Sequence, residues 1–297
     1  MTKPDISIRI GPVSFKNPVF LASGICGYGE EYAPLVDAGA LGGIVTKTIT
    51  LRPRAGNPPP RIHELPTGAL NSIGLENIGL DAYIKEKLPR LRDRSVDVIV
   101  SIAAEREEEF AEIAGRLSCL DGYKGVELNL SCPNVNEEAL DHGRNPAFVE
   151  TITRLVKQRL NDRAVLVKIT PNLTDIGIVA KAAEAGGADG ISAINTVLGV
   201  DFDLDSGRPV FFRGSGGYSG PGILPIALQK TWETAKAVKI AVVGIGGIGS
   251  VDDARKFFIA GATAIQVGTA FWQDPELPAK IVSAFETHPG WMRKGPY

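Results

Sequence analysis

The chain has 297 residues, of which 44% are hydrophobic and 22% are charged, a composition typical of a globular protein with enough apolar material for a core. Its 32 basic and 34 acidic residues are mixed along the sequence, which argues against nucleic acid or an acidic membrane surface as a partner. The N-terminus lacks the apolar core of a signal peptide, and no apolar run is long enough for a membrane span. We therefore expect a cytoplasmic protein.

The predicted elements begin with a β-hairpin over residues 6–15, where apolar and polar residues alternate around Gly11 and Pro12. Eight short runs follow that are too uniformly apolar to have a solvated face, as in a parallel sheet covered by helices. They lie at residues 19–22, 43–46, 96–102, 125–130, 165–169, 190–194, 240–244 and 264–267. Between several of them apolar residues recur at helical spacing. This alternation predicts an α/β fold, a single (β/α)8 TIM barrel domain over residues 1–297.

Two long stretches fit neither helix nor strand. Residues 48–80 are rich in proline and glycine, and residues 196–222 are similar. Irregular loops of this length in a compact domain are usually functional or disordered. We interpret both as walls or lids over the carboxyl end of the strands.

Polar side chains close five of the predicted strands. In a barrel the carboxyl ends of the strands form the working face, so these side chains should meet there. They are Ser23, Lys47, Thr48, Asn129, Lys168, Asn195 and Thr196. The two lysines leave apolar runs, where a buried charge is costly unless an anionic or electron-rich group receives it. Together they predict an anion-binding mouth.

The fourth strand ends in a thiol between two carboxamides, in the order Asn129, Cys132, Asn134. This cysteine has two possible roles: it packs as a small hydrophobic residue, or it acts as a base or nucleophile. The amides offer donors and acceptors to a flat polar ligand. The other cysteines, Cys26 and Cys119, form no C-x-x-C pair with it or with each other, and we expect no metal site.

The last two strands lead into glycines, at residues 244–249 before a helix and at Gly268-Thr269. Backbone amides in such loops bind phosphate, and these are the usual phosphate loops of barrels. The residues alone thus predict a phosphate-bearing ligand beside a planar substrate, without naming a cofactor. A flavin-free phosphosugar barrel with Lys168 as a Schiff-base amine, and a noncatalytic barrel subunit, are open alternatives.

Several motifs occur together along nearly the whole chain: Lys47-Thr48, residues 71–75, 129–134, 168–172, 194–196 and 219–221, Gly246-Gly247 and Gly268-Thr269. In combination, they resemble those of the dihydroorotate dehydrogenase family. A cysteine at position 132, where another class of the family carries a serine, resembles the class 1 members. The overall sequence most resembles a class 1B catalytic subunit. One position departs from many relatives, because Ser101 stands where they carry an asparagine near the flavin.

The resemblance implies FMN-dependent oxidation of (S)-dihydroorotate to orotate in de novo pyrimidine biosynthesis. It implies that Cys132 takes the C5 proton as general base while the C6 hydride passes to flavin N5. By position it implies FMN contacts from Ser23, Lys47, Thr48, Asn129, Lys168, Ile194, Gly220, Gly246, Gly247, Gly268 and Thr269. It implies substrate contacts from Lys47, Asn71, Ser72, Ile73, Gly74, Leu75, Asn129, Asn134, Asn195 and Thr196.

A class 1B resemblance also implies a second subunit that bears FAD and a [2Fe-2S] cluster and passes electrons to NAD. The three cysteines of this chain agree, since they cannot ligate such a cluster themselves. A homodimer or a heterotetramer is expected. The near alternatives are a class 1A homodimer that reduces fumarate and a dihydropyrimidine dehydrogenase-like flavin domain that acts on uracil.

Overall fold

The computed structural model describes residues 4–31, 38–92, 96–130, 143–160, 162–292 and 295. The chain opens with the predicted hairpin, in which β1 (Ile8–Ile10) pairs antiparallel with β2 (Val13–Phe15). Ile10 and Phe15 are fully buried. Ile10 lies against Gly190, the first residue of a barrel strand, so the hairpin covers the amino-terminal end of the barrel.

The predicted (β/α)8 barrel is confirmed, because eight parallel strands pair into a closed sheet. Each strand pairs with the next in chain order, and the last pairs with the first. The strands are β3 (Val19–Leu21), β4 (Gly43–Val45), β7 (Val98–Ile102), β8 (Gly125–Asn129), β9 (Ala164–Ile169), β10 (Gly190–Ala193), β13 (Ala241–Ile245) and β14 (Ala264–Val267). Almost every one of their residues is buried, as expected for strands covered by helices.

Helices between the strands bury one apolar face each against the barrel. They are α1 (Gly79–Ala82), continued by a π-helical turn (Tyr83–Lys87) into α2 (Leu88–Arg92), then α3 (Glu107–Ser118), α4 (Pro146–Arg159), α5 (Ile176–Ala185), α6 (Leu224–Ala237), α7 (Val251–Ile259) and α8 (Leu277–Thr287). Ser250 caps α7, since its hydroxyl accepts a hydrogen bond from the Asp253 N–H at 3.1 Å.

The prediction that the two long stretches contain no strands is wrong. They pair with each other in a four-stranded antiparallel sheet in the order β11 (Val197–Gly199), β12 (Gly216–Ser219), β6 (Gly68–Asn71), β5 (Ile62–Leu65), the accessory sheet. Glycines hide the pattern because the backbones approach closely: a Cβ on Gly68 would lie 2.0 Å from the Ser219 carbonyl oxygen. Strand propensity therefore does not reveal these strands, because each is stabilised by a partner far away in the sequence. Ser219 and Ala69, which are hydrogen-bonded to each other, are 150 residues apart.

The inner face of α7 gives a stability prediction. Phe257 is fully buried under β13, whereas Ile259 on the same helix is about half exposed. Phe257→Ala is expected to lower the free energy of unfolding by about 3–5 kcal/mol, because it removes a large side chain and leaves a cavity. Ile259→Ala should change it by only about 0.5 kcal/mol. Urea unfolding followed by circular dichroism measures both, and equal losses in the two variants would contradict this packing.

Candidate active site

A cavity of about 500 Å³ opens at the carboxyl ends of the barrel strands, between them and the accessory sheet. This volume is within the range of small-molecule sites. Every residue that the resemblance assigns to FMN lines it: Ser23, Lys47, Thr48, Asn129, Lys168, Ile194, Gly220, Gly246, Gly247, Gly268 and Thr269. Residues from eight separate regions of the sequence thus line one cavity, because the barrel brings the carboxyl ends of its strands together.

Most residues assigned to the substrate line the same cavity: Lys47, Asn71, Ile73, Gly74, Leu75, Asn129, Asn195 and Thr196. Ser72 does not line it, because its side chain is buried behind the wall and its hydroxyl accepts a hydrogen bond from Asn57 Nδ2 at 3.0 Å. Cys132 and Asn134 lie outside the described residues. Leu75 adopts φ of 55°, a conformation uncommon for a non-glycine residue, in the segment that faces the cavity.

Each predicted lysine faces a carboxylate of the same chain. Lys168 Nζ lies 3.6 Å from Glu127 Oε1, and both side chains are nearly fully buried. Lys47 Nζ lies 3.4 Å from Glu76 Oε2, a partly exposed acid that also accepts a hydrogen bond from Arg61 at 2.9 Å. The chain therefore supplies part of the compensating charge, and burial of the lysines alone does not require an anionic ligand, contrary to the argument from sequence.

Hydroxyl and amide groups connect the strand ends. Thr48 Oγ1 lies 2.8 Å from Ser101 Oγ and accepts a hydrogen bond from Asn129 Nδ2 at 3.1 Å. Asn195 Nδ2 donates in turn to Asn129 Oδ1 at 3.4 Å. Ser101 is fully buried, so in this chain its hydroxyl supports Thr48 from behind the cavity wall. The side chains of Thr48, Asn129 and Asn195 are thereby held in one connected row.

The glycine loops of the last two strands meet at one end of the cavity. Gly247 has φ of 74°, and a Cβ there would lie 2.6 Å from the backbone of Leu224, so a side chain is excluded on steric grounds. Thr269 Oγ1 donates to Ser219 Oγ at 2.8 Å and joins this end to the accessory sheet. A loop of this kind before a helix N-terminus offers backbone N–H groups to a phosphate.

Sequence reasoning missed three acids of the cavity wall, Glu31, Glu76 and Glu127. Glu76 sits in a segment with no strand or helix pattern, and nothing in the sequence links it to Lys47. Glu127 did carry a signal, since a charged residue between Val126 and Leu128 in a buried strand needs a partner. Sequence alone could not supply that partner, because Lys168 lies on the neighbouring strand.

The described cysteines differ in reactivity. Burial raises the pKa of the Cys26 thiol to about 12, so this thiol stays protonated at neutral pH, whereas Cys119 is exposed. Iodoacetamide at pH ~8 is therefore expected to alkylate Cys119 in the native protein and to leave Cys26 unmodified, because the thiolate is the nucleophile. Peptide mass spectrometry measures both sites. Native modification of Cys26 at the rate of Cys119 would contradict its burial.

Two features are absent from the described part of the chain. Within it, no group of three or more His, Cys, Asp or Glu side chains converges as a candidate metal site. No helix there has the length and apolarity needed to cross a bilayer.

The sequence matches the family model described as dihydroorotate dehydrogenase over residues 6–288. The chain belongs to the dihydroorotate dehydrogenase family. It is 47% identical to the dihydroorotate dehydrogenase B (NAD(+)) catalytic subunit of Thermoanaerobacter sp. (strain X514), with 96% of this chain and 93% of the relative covered. It is 44% identical to the protein of that name from Citrifermentans bemidjiense, with 97% and 94% covered.

A solved structure agrees with these relatives. The crystal structure of DHODH from Eimeria tenella in complex with ferulenol matches with a TM-score of 0.79 at 25% identity, covering 94% of this chain and 83% of that one. Membership of the dihydroorotate dehydrogenase family makes the chain an oxidoreductase and implies a flavin cofactor. The barrel and the family thus agree with the fold and the enzyme class expected from sequence.

Proposed function

We propose that this chain is the FMN-dependent catalytic subunit that oxidises (S)-dihydroorotate to orotate in pyrimidine biosynthesis. One observation carries the proposal: a single cavity gathers all the residues assigned to FMN together with the carboxamides of Asn71, Asn129 and Asn195. In this proposal the protein is cytoplasmic, and residues 1–297 form one FMN-binding domain.

The donor set fits FMN. The loops at Gly246-Gly247 and Gly268-Thr269 would hold the phosphate through backbone N–H groups. Lys168 and the row formed by Thr48 and Asn129 would hold the polar edge of the ring system, since they supply a cation, a hydroxyl and an amide. When bound, FMN supplies the hydride acceptor.

The polar side chains of the same cavity also fit the substrate. Orotate is a flat ring with an imide and a carboxylate, and the carboxamides of Asn71, Asn129 and Asn195 can each donate and accept hydrogen bonds. Lys47 adds a cation for the carboxylate, because its partner Glu76 is shared with Arg61 and one acid faces two cations. These side chains orient the ring and select for its polar groups.

Cys132 is the general base in this proposal. Its thiolate accepts the proton from C5 while the hydride leaves C6, so the ring loses a proton and a hydride together and orotate is formed. In the sequence, only Leu130 and Ser131 separate Cys132 from Asn129, the last residue of β8. A thiol of pKa ~8.5 is partly ionised near neutral pH, which suits a base.

Electrons leave through a second subunit that carries FAD and a [2Fe-2S] cluster and reduces NAD. The Thermoanaerobacter and Citrifermentans relatives are named catalytic subunits of NAD(+) enzymes, which supports such a partner. A homodimer or heterotetramer is proposed, and large exposed apolar side chains on and beside the accessory sheet support association: Ile62, Leu198, Val200, Phe202, Leu204 and Phe212.

Acceptor and substrate assays test the proposal. The chain copurified with its partner is expected to form orotate with NAD as the electron acceptor and not with fumarate. It is expected not to oxidise dihydrouracil. Turnover with fumarate by the chain alone would indicate a class 1A enzyme, and preference for dihydrouracil would indicate a dihydropyrimidine dehydrogenase-like enzyme. Borohydride trapping of a phosphosugar on Lys168, in a protein that binds no FMN, would favour the flavin-free alternative.

A further inference from the structure

Glu127 is a buried acid that the proposed mechanism does not use. It lies in β8 between fully buried Val126 and Leu128, and the residue is only 1% exposed. Glu127 and Asn129 are two positions apart on one strand, so both side chains project to the same face, with Glu127 one layer deeper in the barrel. A carboxyl group at such a position is costly unless its oxygens are paired.

Three donors from three other strands converge on this carboxyl group. Glu127 Oε1 lies 3.6 Å from Lys168 Nζ on β9. Glu127 Oε2 accepts hydrogen bonds from Ser192 Oγ on β10 at 2.7 Å and from Gln266 Nε2 on β14 at 2.8 Å. The Lys168 ammonium and the Gln266 amide N–H can only donate, and the Glu127 carboxyl oxygens are the acceptors that face them.

Lys168 connects this cluster to the cavity. Lys168 and Ser192 are direct partners in the β9–β10 ladder, so the hydroxyl and the ammonium approach the carboxylate from adjacent strands. Glu127 and Lys168 both line the cavity, while Ser192 and Gln266 are fully buried beneath it. The Ser192 and Gln266 bonds fix the carboxylate, and the carboxylate then limits where the Lys168 ammonium can lie.

We propose that Glu127 is a positioning residue that holds the Lys168 ammonium under the bound flavin and offsets its charge. The inference rests on the proposed function, because it needs FMN in the cavity. A carboxylate beneath the lysine lowers the net positive charge that the flavin experiences. Reduced flavin gains negative charge, so Glu127 keeps the flavin harder to reduce than Lys168 alone would make it.

Glu127→Gln keeps the shape of the side chain and removes its charge. It is expected to move the flavin midpoint potential in the positive direction, so that the ratio of reduced to oxidised flavin at a fixed potential rises about tenfold or more. Ser192→Ala is the matched control, because it removes one hydrogen bond to the carboxylate and leaves the charge pair in place. Its shift should be much smaller. Spectroelectrochemical titration of the purified holoprotein measures each potential.

A double-mutant cycle tests whether Glu127 acts through Lys168. The Glu127→Gln shift measured in a Lys168→Met background should differ from the shift in the wild type, because the two side chains are coupled. Two results would overturn the inference: additive shifts in the double variant, or an unchanged flavin potential in Glu127→Gln. If the wild-type protein binds FMN and dihydroorotate reduces that FMN, either result leaves the proposed function intact. A wild type that binds no FMN would instead overturn the proposed function.

A second substitution covers the case in which Glu127→Gln does not fold. Glu127→Asp retains the charge but withdraws it from Lys168 by one methylene group. It is expected to shift the potential in the same positive direction by a smaller amount. A potential equal to that of the wild type would contradict the positioning role.

Discussion

Cys132→Ser is expected to retain FMN and to lose flavin reduction by dihydroorotate by about 10²–10⁴-fold at neutral pH, the usual contribution of a general base. A serine hydroxyl ionises far less readily than a thiol of pKa ~8.5, so the C5 proton has no effective acceptor. Anaerobic stopped-flow mixing at pH ~7 measures the half-reaction without the partner subunit.

Cys119→Ser is the matched control for this prediction, because Cys119 is an exposed cysteine at the end of α3 that does not line the cavity. Its half-reaction rate should equal that of the wild type. The wild-type rate is expected to rise with pH as the thiol ionises. An unchanged rate in Cys132→Ser would remove Cys132 from the role of base.

Lys168→Ala is expected to raise the dissociation constant of FMN by about tenfold or more and to slow flavin reduction. The substitution removes the cation that faces the flavin site and leaves the Glu127 carboxylate buried beside it. Loss of one partner of a buried pair also costs about 3–5 kcal/mol of stability. Fluorescence titration of the FMN-depleted protein measures the affinity.

A second buried lysine separates the two effects. Lys157 Nζ lies 2.6 Å from Asp189 Oδ2, a pair that is mostly buried and does not line the cavity. Lys157→Ala should therefore lower stability while FMN affinity stays unchanged. A fully yellow, fully active Lys168→Ala protein would contradict the role assigned to this residue.

The barrel could be predicted from sequence because its signals are local. Each strand is a short apolar run, and strands such as β9 are buried on both faces, so the pattern does not depend on a distant partner. The strand-end residues were predictable for a related reason: topology alone brings Lys47, Asn129 and Lys168 to one face.

The rest depends on contacts between distant segments. In the accessory sheet, β6 pairs with β12. Both strands are short and contain glycine, so neither strand propensity nor the alternation of apolar and polar residues indicates them in the sequence. The pairing of Lys168 with Glu127 depends on the register of two neighbouring strands, and the shielding of Ser101 behind Thr48 depends on side-chain packing. A residue type at a strand end indicates a site, but only the register and packing show what its side chain contacts.

The most direct test of the proposed function is a visible spectrum of the purified chain, recorded anaerobically before and after addition of (S)-dihydroorotate. A flavin spectrum that bleaches as orotate forms in stoichiometric amount is the predicted result. A colourless protein that takes up no FMN on reconstitution, or a bound flavin that dihydroorotate does not reduce, would contradict it.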